Sequence, residues 1–372
     1  MTRDKDQNEV NEGQSDSKLR LRKTRKAHHI DLAVQYNEQS QTDTWKDIRF
    51  VHHSLPELNE QDIDLTTRVA DHMWSVPLYI NAMTGGIDEA KVINRNLAEV
   101  ARKHGLAIAV GSQSAALADL KVVDTYRIVR ETMQDGLVLA NVSGAVPANE
   151  AFRAVEMIQA DYLQLHLNFP QEIVMPEGDR NFKGVRANIT EILHDSPVPV
   201  IVKEVGFGMS MELYAELAAA GVKVIDVSGR GGTNFAWIES RRRKDQRSVF
   251  EDWGQTTPIS LLEAQRFMNS IEFLASGGIR TALDMAKSLA LGAHAVGIAG
   301  AVLRVFYKGG KQAVSDTIGT WLDELRSVML ALGAQSVDDL RTMPVVVTGD
   351  SQDWARARGI NIEMLASRSR HG

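Results

Sequence analysis

The sequence predicts an α/β fold: a (β/α)8 TIM barrel with an N-terminal extension and extra C-terminal helices. Three observations predict it. Eight short apolar runs punctuate residues 77–298. Most are separated by stretches with helical spacing, and repeated strand–helix alternation is the pattern of a parallel sheet covered by helices. Each run also ends in small or polar residues: Met83-Thr84-Gly85-Gly86, Gly111-Ser112-Gln113-Ser114, Asn141, His166 with Asn168, Lys203-Glu204, Ser228-Gly229, Ser276-Gly277-Gly278, and residues 297–300. In such barrels the chemistry sits at the C-terminal ends of the strands. The run ends are therefore also the candidate site residues.

Taken in order, residues 77–83 (PLYINAM) form the first strand, dense in apolar residues as a strand buried on both faces should be. A helix over 88–103 stops at His104-Gly105, a C-terminal signal. Strands follow at 106–110 and 137–142, with a helix near 122–133 between them and another at 149–160. The fourth strand, 162–167, leads into a long loop, 169–184, carrying Pro170, Pro176 and Gly178. Long loops in compact domains are usually functional. Strand 198–205, helix 210–220 and strand 222–227 come next, then a second long loop from Gly229 to about Thr257. A helix over 258–268 opens with Pro258, suited to a first helical turn. Strand 271–275, helix 281–291 and strand 293–298 close the barrel, and two or three helices complete the chain. Residues 30–75 show weak helical pieces and no clear strand. Residues 1–20 read as a disordered polar tail without the apolar stretch of a secretory signal, and 21–372 as one domain.

Composition narrows the function. With 372 residues, 44% of them hydrophobic, the chain can bury one large core. A net charge of −6 provides no global basic field, so no nucleic-acid partner is expected. The run Arg241-Arg242-Arg243-Lys244 is the local exception, either a solvated loop face or a charged rim near an anionic substrate. The absence of cysteine excludes disulfides, thiolate nucleophiles and Cys-based zinc sites, and is compatible with a cytoplasmic setting. No apolar stretch is long enough for membrane insertion.

Two glycine-bearing turns, Ser276-Gly277-Gly278-Ile279 and residues 297–300, follow the last two strands and open helices. Glycine lets backbone N–H groups approach an anion, the helix N-terminus adds partial positive charge, and these two loops are the usual phosphate position of the fold. A sugar phosphate, a nucleotide or a flavin mononucleotide fits. Lys203 favours the flavin, because a buried cation stabilises negative charge on a reduced ring system, although an ion pair with Glu204 or Asp226 would also explain it. Thr84, Ser112, Asn141 and Thr233 offer hydrogen bonds to the ring edge and polyol chain. In Gln164-Leu165-His166-Leu167-Asn168 the polar residues alternate, so Gln164, His166 and Asn168 share one face. Gln171 and Glu172 follow. One carboxylate is too few for an all-protein Mg2+ cage, but with substrate phosphates it suffices. Arg25, Lys26 and His29 form a basic cluster on a terminal segment that can close over an anionic headgroup or simply face solvent.

These residues resemble the FMN-dependent type 2 isopentenyl-diphosphate delta-isomerase family. The resembling segments are RKAHH, NAMTGG, GSQS, ANVSG, QLHLNFPQE, VKEVGFG, DVSGRGGTNFAWIE, SGGIR and GIAGA, spanning residues 25–303. The resemblance implies FMN, Mg2+ and NADPH to reduce the flavin. It implies interconversion of isopentenyl and dimethylallyl diphosphate in isoprenoid biosynthesis, by a cytoplasmic homo-oligomer, a tetramer or octamer. It implies Arg25, Lys26 and His29 at the substrate diphosphate, and Ser112, Gln113, Ser114, His166, Asn168 and Gln171 as further substrate contacts. Ala82, Met83, Thr84, Ser112, Asn141, Lys203, Ser228, Thr233, Gly277, Gly278, Ala299 and Gly300 match FMN contacts, and Glu172 matches the metal carboxylate. Gln171 and Lys203 are the implied catalytic residues, and Trp237 would either cover a cationic intermediate or simply pack. Ser114 stands where many members carry a longer Arg or Met, which removes one implied diphosphate contact. Two other readings suit the phosphate loops: an FMN barrel oxidising 2-hydroxy acids, and a catalytically silent flavin-binding scaffold.

Overall fold

The computed structural model describes Lys26, His28, His29 and residues 31–36, 43–243 and 247–368. The expected tail, Arg25 and Lys244 lie outside the described residues.

Eight parallel strands close into a barrel: β1 (Leu78–Ile80), β2 (Ala107–Ala109), β3 (Val138–Ser143), β4 (Tyr162–Leu167), β5 (Val200–Glu204), β6 (Val224–Asp226), β7 (Glu272–Ser276) and β8 (Ala293–Ile298). Neighbours in sequence are neighbours in space, and β8 closes on β1 with Val296 opposite Leu78 and Ile298 opposite Ile80. An outer helix follows each strand: α1 (Asp88–His104), α2 (Asp124–Met133), α3 (Ala148–Ile158), α4 (Val185–Asp195), α5 (Met211–Ala219), α6 (Thr257–Glu263), α7 (Ala282–Ala290) and α8 (Gly300–Leu332, kinked at Gly310). The local causes are legible in α1. Ala90, Ile93, Leu97 and Ala101 bury one stripe, Asp88 and Glu89 sit in the positive first turn, and Arg102, Lys103 and His104 in the negative last one. Gly105 ends the helix at φ 68°, a left-handed cap that costs glycine little.

The barrel interior is filled by Tyr79, Leu139, Tyr162, Ile201, Val224, Leu274 and Ala295. A hairpin of Thr67–Val69 and His72–Trp74 plugs its lower end, where Trp74 Nε1 donates to Tyr162 Oη at 2.9 Å and that hydroxyl donates to the Val69 carbonyl at 2.7 Å. A second short pairing joins Ile48–Phe50 to Val345–Val347, tying the N-terminal extension to the C-terminal helices. The sequence reading found no strand in 30–75. These residues nevertheless carry strands, each of three residues and too short to display alternation. The two long loops are also partly structured. The first carries a helix, Phe169–Val174, and the second carries Phe235–Arg242 and a 3-10 turn, Val249–Asp252.

Candidate active site

The β4–β5–β6 register sets the centre of the mouth. His166 lies opposite Lys203, and Lys203 opposite Asp226. Three neighbouring strands thus place an imidazole, an ammonium and a carboxylate in one row. Above them opens a cavity of about 890 Å³, lined by residues from the ends of all eight strands.

One side of this cavity is a glycine cradle. Gly277 (φ 92°) and Gly278 (φ 78°) adopt left-handed backbone, and a Cβ on Gly277 would stand 2.0 Å from the Gly229 carbonyl. The loops after β6 and β7 therefore pack backbone on backbone. Arg280 lines the cavity here, with Nη2 donating to the Gly231 carbonyl at 2.9 Å. Ala299 and Gly300 bring the N-terminal end of α8 to the same wall. This arrangement fits a phosphate: glycine backbone exposes N–H groups, and a helix dipole and a guanidinium add charge.

Lys203 is buried and donates to the Glu204 carbonyl oxygen at 2.6 Å. The Glu204 carboxylate turns the other way and accepts from the backbone N–H groups of Val205, Gly206 and Phe207 at 2.6, 2.8 and 2.5 Å. The neighbouring ion pair that the sequence left open is therefore not formed with Glu204. Burial pushes the Lys203 ammonium down, against the opposing charges of Asp226 and Glu204. Burial pushes Glu204 up to about 7, opposed by those N–H donors and Lys203. His166 is held down at about 3, first by burial and then by Lys203, and is neutral at ordinary pH.

The β4 loop supplies Gln171 and Glu172 from the short helix Phe169–Val174. Gln171 Nε2 donates to Glu239 Oε1 at 3.2 Å, which leaves its carbonyl oxygen free of that bond. Glu239 also accepts from His29 Nε2 at 2.7 Å and from Arg242. Glu172 accepts from Asn168 Nδ2 at 2.8 Å and from the Asp179 backbone N–H at 2.9 Å, one bond per oxygen, so lone pairs remain. Among the described residues, no cluster of three or more His, Asp or Glu forms a metal cage. Glu172 alone could hold a divalent ion only with further oxygens from substrate and water.

Lys26 brings the terminal segment onto the mouth. Its ammonium donates to the Gly85 carbonyl at 2.7 Å, the Ser112 carbonyl at 3.2 Å and Tyr126 Oη at 2.6 Å. An ammonium has three N–H donors. In this arrangement Lys26 pins the segment to the mouth and places a positive charge at its wall.

All twelve expected FMN positions line this one cavity, as do Lys26, His29, Ser112, Ser114, His166, Asn168, Gln171 and Glu172. Thr84 does so with its hydroxyl engaged, donating to Asn94 Oδ1 at 2.7 Å. Gln113 departs from expectation. Its fully buried side chain donates to the Ala154 carbonyl at 2.8 Å and accepts from the Asn141 backbone N–H at 3.0 Å, so it braces β3 against α3. Trp237 also turns elsewhere, packing on Tyr36 at 5.3 Å and under Arg241 at 5.0 Å. The basic run divides: Arg241 covers Trp237, while Arg242 lines the cavity and pairs with Glu239 and Glu177. The sequence alone assigned no role to Glu239 or Arg280, although FAWIE and SGGIR contain them, and offered Arg242 only as part of a basic run that could rim the site.

The cradle, the β5 lysine and the enclosing mouth define an FMN-type phosphate-binding (β/α)8 barrel. A family model described as FMN-dependent dehydrogenase matches residues 174–346. A putative lactate oxidase of Pediococcus acidilactici shares the fold, with a TM-score of 0.64 at 15% identity, covering 89% of this chain and 94% of that chain. The sequence comparisons are more specific. The isopentenyl-diphosphate delta-isomerase of Symbiobacterium thermophilum is 47% identical over 359 residues, 94% of this chain and 99% of the relative. That of Listeria monocytogenes serotype 4a is 45% identical over 350 residues, 94% and 98% of the two chains. The chain belongs to the FMN-dependent, type 2 isopentenyl-diphosphate delta-isomerase family.

Proposed function

We propose that this protein interconverts isopentenyl and dimethylallyl diphosphate by a 1,3-allylic proton shift, with FMN in reduced form and Mg2+ on the diphosphate. The observation that carries this reading is the convergence of Gln171, Glu172, Lys203 and the glycine cradle on one cavity. The reaction adds a proton at one carbon and removes one at another, with no net redox change. The neighbouring carboxylates are committed elsewhere: Glu204 to backbone N–H groups, and Glu239 to His29, Gln171 and Arg242. Reduced FMN, when bound, supplies the proton donor and acceptor that these side chains do not.

The chain's own residues do the rest. Gly277, Gly278 and Arg280 hold the cofactor phosphate. Lys203 places a buried cation where it favours negative charge on the reduced ring. Glu172 holds Mg2+ together with the substrate diphosphate. Lys26 adds positive charge and secures the segment bearing His29, which would cover the headgroup and exclude water. Gln171, oriented by Glu239, positions the allylic end of the substrate. NADPH is the proposed reductant, and a cytoplasmic homo-oligomer the proposed form. No described helix is long and apolar enough to cross a membrane.

The 2-hydroxy-acid oxidase reading requires a base near the cofactor ring. No histidine occurs in residues 227–256 or 277–281, the loops after β6 and β7. The test is to supply FMN-loaded protein with NADPH, Mg2+ and isopentenyl diphosphate, and separately with 2-hydroxy acids in air. Dimethylallyl diphosphate in the first assay supports the reading. Peroxide in the second without isomer in the first overturns it.

A further inference from the structure

A chain of side-chain amides runs beneath the cavity from Asp226 to His166. Asn81 Nδ2 donates to Asp226 Oδ2 at 2.8 Å. Gln164 Nε2 donates to Asn81 Oδ1 at 3.3 Å. Asn141 Nδ2 donates to Gln164 Oε1 at 2.9 Å, and Asn141 Oδ1 stands 3.0 Å from His166 Nδ1. We infer that Asp226, through Asn81, Gln164 and Asn141, is a positioning residue that holds His166 as the Nδ1–H tautomer.

The direction of the chain is forced at its far end. A carboxylate only accepts. Asp226 already takes Tyr79 Oη at 2.7 Å, Ser276 Oγ at 2.8 Å and the Ser228 backbone N–H at 3.1 Å, and Asn81 must therefore turn its NH2 toward it. A second constraint agrees: the Ala82 backbone N–H donates to Asn81 Oδ1 at 2.8 Å. Reversing Asn81 would set oxygen against oxygen at Asp226 and N–H against N–H at Ala82. With Asn81 fixed, Gln164 must donate to it and present Oε1 to Asn141. Asn141 must then present Oδ1 to His166, whose Nδ1 carries the proton. An imidazole that is neutral and protonated on Nδ1 has a bare lone pair on Nε2. His166 lines the cavity, so its other nitrogen offers an acceptor there. An acceptor suits a hydroxyl or N–H group of a bound molecule and is unfavourable toward a fully ionised phosphate oxygen. His166 therefore receives a hydrogen bond from a donor group and is not a hydrogen-bond donor to the diphosphate.

Gln164 is fully buried and is not part of the cavity wall, which makes it the place to cut the relay. The holoprotein labelled with 15N-histidine is compared by NMR with His166→Gln to assign the ring. The Nδ1–H form should exceed the Nε2–H form by about tenfold, the equivalent of one hydrogen bond of about 1.4 kcal/mol. Gln164→Leu, or Gln164→Met to keep the volume, leaves Asn141 without its acceptor and should bring the ratio toward about one. Gln164→Glu, as the neutral acid that burial favours, keeps an O–H for Asn81 Oδ1 and an acceptor for Asn141, and should restore the excess. A wild-type ring protonated on Nε2, or an unchanged ratio in folded Gln164→Leu or Gln164→Met, overturns the inference. Only the catalytic consequence rests on the isomerase reading: kcat/KM should fall about tenfold in the Leu variant and recover to within about threefold in the Glu variant. The tautomer measurement stands whether or not the protein isomerises that substrate.

Discussion

Gln171 and Glu239 come from different loops and meet through one hydrogen bond of 3.2 Å. Glu239 is fully buried and also binds His29, so the β4 loop, the β6 loop and the terminal segment converge on its carboxylate. Burial alone would favour its acid form. Hydrogen bonds from His29 and Gln171 and the charges of His29 and Arg242 outweigh that, and the group is held below the usual carboxylate range.

Glu239→Gln should therefore disturb turnover without touching the cofactor phosphate. Losing a charged acceptor that holds Gln171 and His29 corresponds to about 2 kcal/mol. The expected result is a fall in kcat of about 10- to 100-fold with FMN content unchanged, read by steady-state kinetics and the flavin spectrum.

Gln171→Ala separates isomerase from scaffold. As an isomerase, the protein should lose about 100-fold or more in kcat, the scale of a misplaced reacting group, while still binding FMN. Unchanged turnover would remove Gln171 from the site.

Gly277→Ala tests the cradle. The new methyl group would collide with the Gly229 carbonyl in a backbone conformation that alanine disfavours. The protein should purify with little FMN, and added FMN should bind at least about tenfold more weakly, measured by fluorescence quenching.

Lys26→Met removes both a charge and a pin. The terminal segment should become more sensitive to protease, and KM for the diphosphate should rise by about tenfold or more with a smaller change in kcat. Equal protease sensitivity in both proteins would show that the segment is held elsewhere.

The His166 environment also fixes a pH dependence. Its folded pKa, about 3, lies below the ordinary 6.5. The unfolded chain therefore binds the extra proton first as pH falls, and stability present above about pH 6.5 is lost progressively toward pH 3. The ring lines an open cavity, which moderates the effect to about 1 kcal/mol at pH 5. His166→Gln should show a flatter decline in denaturant midpoint between pH 6.5 and 5.

The barrel was legible because its strand and helix patterns alternate along the chain. β4 and β8 begin and end where the apolar runs do. The run at 77–83 pairs over only Leu78–Ile80, because neighbouring strands support just that length and the following residues turn into the mouth. The glycine loops and the His166–Asn168 face were legible for the same reason: their chemistry is local. Glu239 was not, since its meaning depends on two loops meeting in space. Gln113 misled because its neighbours Ser112 and Ser114 face the cavity while it turns into the barrel wall. The barrel-floor hairpin escaped notice because its strands are three residues each.

The most direct test follows isopentenyl diphosphate by NMR in D2O with the reduced, FMN-loaded protein and Mg2+. The expected result is dimethylallyl diphosphate carrying deuterium in the methyl group formed from the terminal methylene, with activity absent when the flavin is oxidised. Substrate that remains unisomerised and free of deuterium, with reduced flavin verified in the site, would contradict the proposed proton shift.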